Sequence, residues 1–209
     1  KVLDAAPDVI VITGDLIDYH RTDVDTALSF ILKAVQIAPV YYVPGNHEYY
    51  GVDVNICSEN PLEHADARMK RICEQMDITF LNNSSVEING VSFFGSTLWS
   101  YLLCDEYVEG YGSIESRTRD LGKRIADFRA ISGWSTESMF SAYKKALAHL
   151  EKFFGHTTTE KKVVISHFPP VLECEHRLMP KTPISAYFVN NLGDLIMKNQ
   201  PDVWIYGHT

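Results

Sequence analysis

The chain has 209 residues, 45% of them hydrophobic and 22% charged. That is ordinary globular composition, with no apolar run near the ~18 residues a membrane-spanning helix needs. The formal net charge is −8, with Lys and Arg scattered, which excludes sequence-blind binding to nucleic acid or an anionic membrane, although bound cations can still bring phosphate to an acidic protein.

Asp8–Thr13 is a short β-branched run ending at Gly14 and reads as a buried strand. Thr22-x-x-Asp25 offers a capping box, followed by Val24, Leu28, Ile31, Leu32 and Val35 at helical spacing. Val40–Val43 is a second buried strand closed by Pro44-Gly45, and Asn60-Pro61 with Glu63 starts a helix striped by Leu62, Ala65, Met69, Ile72 and Met76. From Ile78 to Leu98 the period shortens to short β runs, with Asn89-Gly90 as a hairpin signal. Residues 100–135 carry no clean period and read as a cap or binding excursion over one face. Met139 to Phe154 marks a helix and Lys162–Ser166 a strand ending at His167. Ile184, Phe188, Leu192, Leu195 and Ile196 make one last helix, and Asp202–Tyr206 the final strand before Gly207-His208. The order predicts one α/β domain over 1–209, with strands buried under helices.

Cys57, Cys73, Cys104 and Cys174 lie far apart without a C-x-x-C pair. That fits reduced thiols in a cytoplasmic protein, and the opening residues lack the pattern of a signal peptide.

Four strands end alike: in Gly14-Asp15 with Asp18 beyond, in Gly45-Asn46-His47-Glu48, in His167, and in Gly207-His208. Loops at the carboxyl ends of α/β strands converge on one crevice, which would gather Asp15, Asn46, His47, His167 and His208. Singly, an Asp after a strand is often a helix cap or turn former and a lone His a hydrogen-bonded structural residue. Oxygen and nitrogen donors at the same topological position on four strands make a joint signal.

In order and spacing, G-D-x-x-D, G-N-H-E, a lone strand-end His and G-H resemble the calcineurin-like metallophosphoesterase family over nearly the whole chain. The resemblance implies a four-layer fold: two mixed β-sheets packed as a sandwich with helices on both outer faces. It also implies a two-metal centre bridged by Asp15, with Asn46, His167 and His208 completing one metal site. His47 would face the substrate phosphate as general acid or charge stabiliser, with Asp18 orienting its ring. The mixed nitrogen and oxygen shell suits Mn, Fe, Zn, Co or Ni better than Ca.

The family pattern opens with D-x-H and closes with G-H-x-H. Here the first would precede Lys1 and the last His would follow Thr209, so the chain is expected to be clipped at both ends. Asp18-Tyr19-His20 copies D-x-H only textually, because it follows the G-D motif. Protein Ser/Thr phosphatases of this superfamily place Arg-Gly after the second Asp, where this chain has Tyr19-His20. Arg117, Arg119, Arg124 and Arg129 lie in the excursion, and Arg129 beside Asp127-Phe128 is the one chosen to grip a phosphate. Trp99, Trp134, Tyr49 and Tyr50 read either as a wall for a substrate ring or as core packing.

The expected activity is hydrolysis of a phosphodiester, or of a phosphomonoester, by in-line attack of hydroxide held on two divalent cations. The partner is a small phosphate ester or nucleotide. The alternatives are a non-catalytic scaffold of the same fold, or a phosphatase acting on nucleotides, sugar phosphates or phosphoproteins.

Overall fold

The computed structural model describes residues 5–16, 24–51, 61–101, 119, 121–174 and 184–208. Asp18 with Tyr19-His20, the Thr22 cap, Asn60, Arg117, and half of the 100–135 excursion lie outside them, as do Cys57 and Cys104.

Two sheets form from seven strands. The first orders β1 (Ile10–Ile12), β2 (Val40–Tyr42) and β3 (Ile78–Phe80), all parallel, with Ile10 opposite Val40 and Val40 opposite Ile78. The second orders β4 (Ser84–Ile88), β5 (Val91–Ser96), β6 (Lys161–Ser166) and β7 (Val203–Tyr206). Only β4 and β5 run antiparallel; β5, β6 and β7 are mutually parallel. So the second sheet alone is mixed among the described residues. The β4–β5 hairpin turns at Asn89-Gly90 with φ of 51° and 75°, the left-handed pair of a type I′ turn.

Strand side chains alternate between faces, and both faces of each sheet carry apolar residues, although β4 leaves Ser85 and Glu87 exposed. In β1 and β2, Ile10, Ile12, Val40 and Tyr42 pack outward on Ile31 and Ala34 of α1 (Val24–Val35) and on Cys73 of α2 (Pro61–Gln75). Their neighbours Val9, Val11, Tyr41 and Val43 face inward and meet Phe93, Val163 and Ile165 of the second sheet. Phe94 and Val164 turn the opposite way. There they pack on Leu150 and Phe153 of α4 (Thr136–His156), with Leu195 of α6 (Gly193–Asn199) alongside. The result is four layers: helices, sheet, sheet, helices. Each large side chain buried in these layers contributes about 1.5–3 kcal/mol.

Three details of the expected helices differ. In α1, Leu32 is 55% exposed, because Ala27, Ile31 and Ala34 form the buried face; the small Ala residues at either end of that face leave Leu32 outside it. In α2, Ile72 is 42% exposed, since Cys73 takes the buried place four residues after Met69. The single last helix is two, α5 (Ser185–Phe188) and α6, broken at Val189–Leu192. Asn190 is spent on tertiary bonds: its N–H donates to Pro169 O, its Oδ1 accepts from Tyr101 N, and its Nδ2 donates to Leu98 O. With its backbone N–H given to Pro169 O, Asn190 cannot make the i−4 bond that would continue the helix.

Over the carboxyl ends of the strands sits an aromatic cluster of Tyr49, Tyr50, Trp99, Trp134, Phe168 and Tyr187, joined by Leu121, Ile125 and Ile131. Trp99 and Trp134 lie 4.7 Å apart by centroid. The four aromatics that could have formed a substrate wall are buried in this cluster, and Tyr49, Trp99 and Trp134 also line a cavity beside it. This cluster also anchors the described end of the excursion, including the short helix α3 (Asp127–Ala130).

No helix among the described residues is long and apolar enough to cross a membrane.

Candidate metal centre

The four strand ends converge because two glycines let their loops touch. Gly14 has φ +88°, and a Cβ there would stand 2.3 Å from Gly45 N; a Cβ on Gly45 would stand 2.2 Å from Asp15 Oδ1. Neither contact is possible, so any side chain at either place would push the loops apart.

Glu48 ties the same loops together. Its buried carboxylate accepts from Gly45 N at 2.6 Å, Leu16 N at 2.7 Å and Asp15 N at 2.9 Å. Three oriented N–H groups on one carboxylate hold the turn that gives Asp15 its left-handed φ of 55°, a conformation a non-glycine residue keeps only when its surroundings impose it. Asp15 Oδ1 in turn accepts from His47 N at 3.1 Å.

The donors meet around His167 Nε2. Asn46 Oδ1 and His208 Nδ1 each lie 2.9 Å from it, and Asp15 Oδ2 lies at 3.4 Å. His167 Nδ1 sits 2.6 Å from Thr13 O. A carbonyl can only accept, so Nδ1 carries a proton and Nε2 turns its lone pair to the cluster. Fixing a ring in this way through a backbone carbonyl is typical of metal-binding histidines. Asp15, His167 and His208 place one ligand atom each within 4.8 Å of one another.

The electrostatics favour positive charge at this point, as a proton or a cation. Burial would raise the Asp15 carboxyl, but His167 and His47 hold it below its ordinary value. Burial also opposes charge on His167, yet Asp15 outweighs it and lifts the ring above its usual range. Burial, then His167 itself, push His208 down to about 3, so that ring is neutral near pH 7. Two oxygens and two ring nitrogens thus crowd a space that requires either a shared proton or a cation between them. Nitrogen and oxygen donors without thiolates match a borderline first-row dication.

Asn46 is itself locked. Its Nδ2 donates to Asp127 Oδ1 at 2.9 Å, which leaves Oδ1 facing the cluster. Asp127 also accepts from Tyr50 OH at 2.7 Å and from Tyr187 OH. The His47 ring stacks on Tyr50 at 4.4 Å and 23°.

Of the residues singled out in the sequence, Asp15, Asn46, His47, His167 and His208 come together, and Asp18 lies outside the described residues. Arg129 is exposed, and its guanidinium donates to Lys123 O within its own segment. The excursion instead brings Asp127 to the site, two residues away. In the sequence Glu48 is only a motif letter and Asp127 only the neighbour of Arg129; their roles appear in the fold.

A cavity of about 510 Å³ lies on the Tyr49 side of the 47–49 turn, lined by Asp66, Asn82, Thr97, Trp99 and Trp134 among others and by none of the four donors. Asp66 accepts there from Tyr49 OH at 2.7 Å and from Asn82 Nδ2 at 2.9 Å. Burial pushes its carboxyl up to about 6, with Glu63 adding to the rise while Tyr49, Asn82 and Lys145 oppose it. The folded protein therefore holds the Asp66 proton more tightly than the unfolded chain. Its stabilising contribution is complete below pH 3.8 and is lost as pH rises through about 6. Relative to wild type, Asp66→Asn is expected to gain about 1–3 kcal/mol between pH 4 and pH 7, after discounting for partial exposure. Urea unfolding of both proteins at the two pH values checks it, and a constant difference would refute it.

The sequence profile of the calcineurin-like phosphoesterases matches residues 1–209, and the chain belongs to that family. Proteins of this family hydrolyse phosphoesters and generally use divalent metals. An uncharacterized protein, L509, of Acanthamoeba polyphaga mimivirus is 27% identical over 207 residues, covering 83% of this chain and 64% of that protein. An uncharacterized metallophosphoesterase of Helicobacter pylori is 29% identical over 88 residues, 42% of this chain and 20% of that one. The chain thus spans less than two thirds of the length of either relative. Among solved structures, the phosphopantetheinyl hydrolase PptH of Mycobacterium tuberculosis superposes with a TM-score of 0.67. The superposition covers 96% of this chain and 72% of that one at 17% identity, a likeness of fold.

Proposed function

We propose that this chain carries the centre of a dinuclear metallophosphoesterase that hydrolyses a small phosphodiester, or a phosphomonoester or nucleotide, by in-line displacement. The observation that supports this most is the convergence of Asp15, Asn46, His167 and His208 on one point, with the Asn46 oxygen and the His167 Nε2 lone pair both turned inward. Asp15 would bridge two cations; Asn46, His167 and His208 would hold one of them. Divalent ions bound there would neutralise phosphate oxygens and make water nucleophilic near neutral pH. The chain's own part is to pre-set these donors and to place His47 beside them. His47 then donates a proton to the departing alkoxide, the step in which a diester gains most from an acid. The same reading puts the protein in the cytoplasm, where Cys73 and Cys174 stay free thiols.

The full-length protein loaded with Mn²⁺ tests it. Hydrolysis of bis-p-nitrophenyl phosphate faster than of p-nitrophenyl phosphate is expected, with Asp15→Asn losing both activities. A monoester-only profile would overturn the diester preference. No turnover with cations shown to be bound would leave a scaffold.

A further inference from the structure

The geometry points to Asp127 as the positioning residue of this site, holding Asn46 on the metal side and His47, through Tyr50, on the acid side. The inference rests on the metal-site reading above and adds a residue to it. Asp127 is 1% exposed, and no Lys or Arg pairs with its carboxylate among the described residues. A carboxylate at that depth is costly unless it is compensated. Its three hydrogen bonds, from Asn46 Nδ2, Tyr50 OH and Tyr187 OH, come from neutral donors.

Compensation comes through Asn46. An asparagine amide has two nearly equivalent orientations, one presenting oxygen and the other NH₂. A carboxylate only accepts, so Asp127 takes the NH₂ and forces the oxygen toward His167 Nε2. A flipped amide would present its NH₂ to a cation. Asp127 thereby converts a neutral side chain into an oriented donor and places a negative charge behind it. The same Asp127 Oδ1 fixes Tyr50, whose ring carries the stacked His47 imidazole. The described end of the excursion therefore acts on the site through a carboxylate one tier behind the donors.

The experiment is Mn²⁺ binding by calorimetry to metal-free wild type, Asp127→Asn, Asn46→Asp, the double variant Asn46→Asp/Asp127→Asn, and Tyr187→Phe. Loss of such a supporting partner typically costs 10–100-fold in metal affinity, and Asp127→Asn is expected to lose about that much. Asn46→Asp should also bind weakly, although it gains a carboxylate, because two acceptors then face each other. The double variant restores a hydrogen bond in the reverse sense, with the amide now at position 127 donating to the carboxylate now at position 46, and should bind more tightly than either single variant. Tyr187→Phe removes one donor and keeps the Asn46 bond, so it should lose only a few-fold; it serves if the Asp127 variants do not fold. Wild-type affinity in Asp127→Asn, with only a lowered melting temperature of the metal-free protein, would make Asp127 merely structural and overturn the proposal. So would a double variant no better than its parents. Wild type that binds no Mn²⁺ would sink the metal-site reading itself, and this proposal with it.

Discussion

Replacing His47 by alanine is expected to lower kcat by about 10²–10⁴-fold, the range of a positioned proton donor, while Mn²⁺ binding stays at its wild-type value. His47 holds Asp15 through its backbone N–H, at 3.1 Å, which alanine retains. Its ring stacks on Tyr50, outside the set of four donors. The lost stacking costs about 0.5–1.5 kcal/mol of stability, too little to unfold the protein or to explain a rate loss of that size. The decisive readout is a series of esters differing in leaving-group pKa. The penalty should grow as the leaving group becomes more basic and shrink toward nothing for p-nitrophenolate-like groups. A uniform penalty accompanied by weaker Mn²⁺ binding would make His47 a ligand and remove the acid from the mechanism.

Glu48→Ala should be the most destabilising single change near the site. It strips the acceptor from Asp15 N, Leu16 N and Gly45 N at once. Hydrogen bonds to a charged group contribute roughly 1.5–3 kcal/mol each, and shared ones do not add fully. A loss of about 3–5 kcal/mol follows, which for a chain of this size lowers the melting temperature by roughly 6–20 °C. Glu48→Gln should recover little, because half of its amide is NH₂ turned against N–H groups. Cation affinity should fall along with stability, since among the described residues the Glu48 carboxylate holds the backbone N–H of Asp15 in the turn where its φ is 55°. Chemical denaturation with and without Mn²⁺ measures both, and a loss under about 1 kcal/mol would show that water replaces the carboxylate at these N–H groups.

Much of the fold was legible because its signals are local. Val40–Val43, closed by Pro44-Gly45, and Lys162–Ser166, closed by His167, are runs built on β-branched or aromatic residues, and each became a strand within a residue or two. The Asn89-Gly90 turn needs only its own two dihedrals. Helix faces were harder. Ile72 and Leu32 satisfy an apolar stripe, but the buried faces run through Cys73 in one helix and through Ala27, Ile31 and Ala34 in the other. The break at Asn190 was hidden because its partners Pro169, Leu98 and Tyr101 lie 21 to 92 positions away.

The primary sequence alone determined which groups could bind cations and the order in which they occur, because each sits at the end of a strand readable from its own few residues. Tertiary structure alone decided how those groups are aimed. Glu48 reaches Asp15 across 33 positions and Asp127 reaches Asn46 across 81. A hydrogen bond at such separation leaves no period or turn signature in the intervening chain. It arises only when the sheets have packed and burial obliges each polar atom to find a partner.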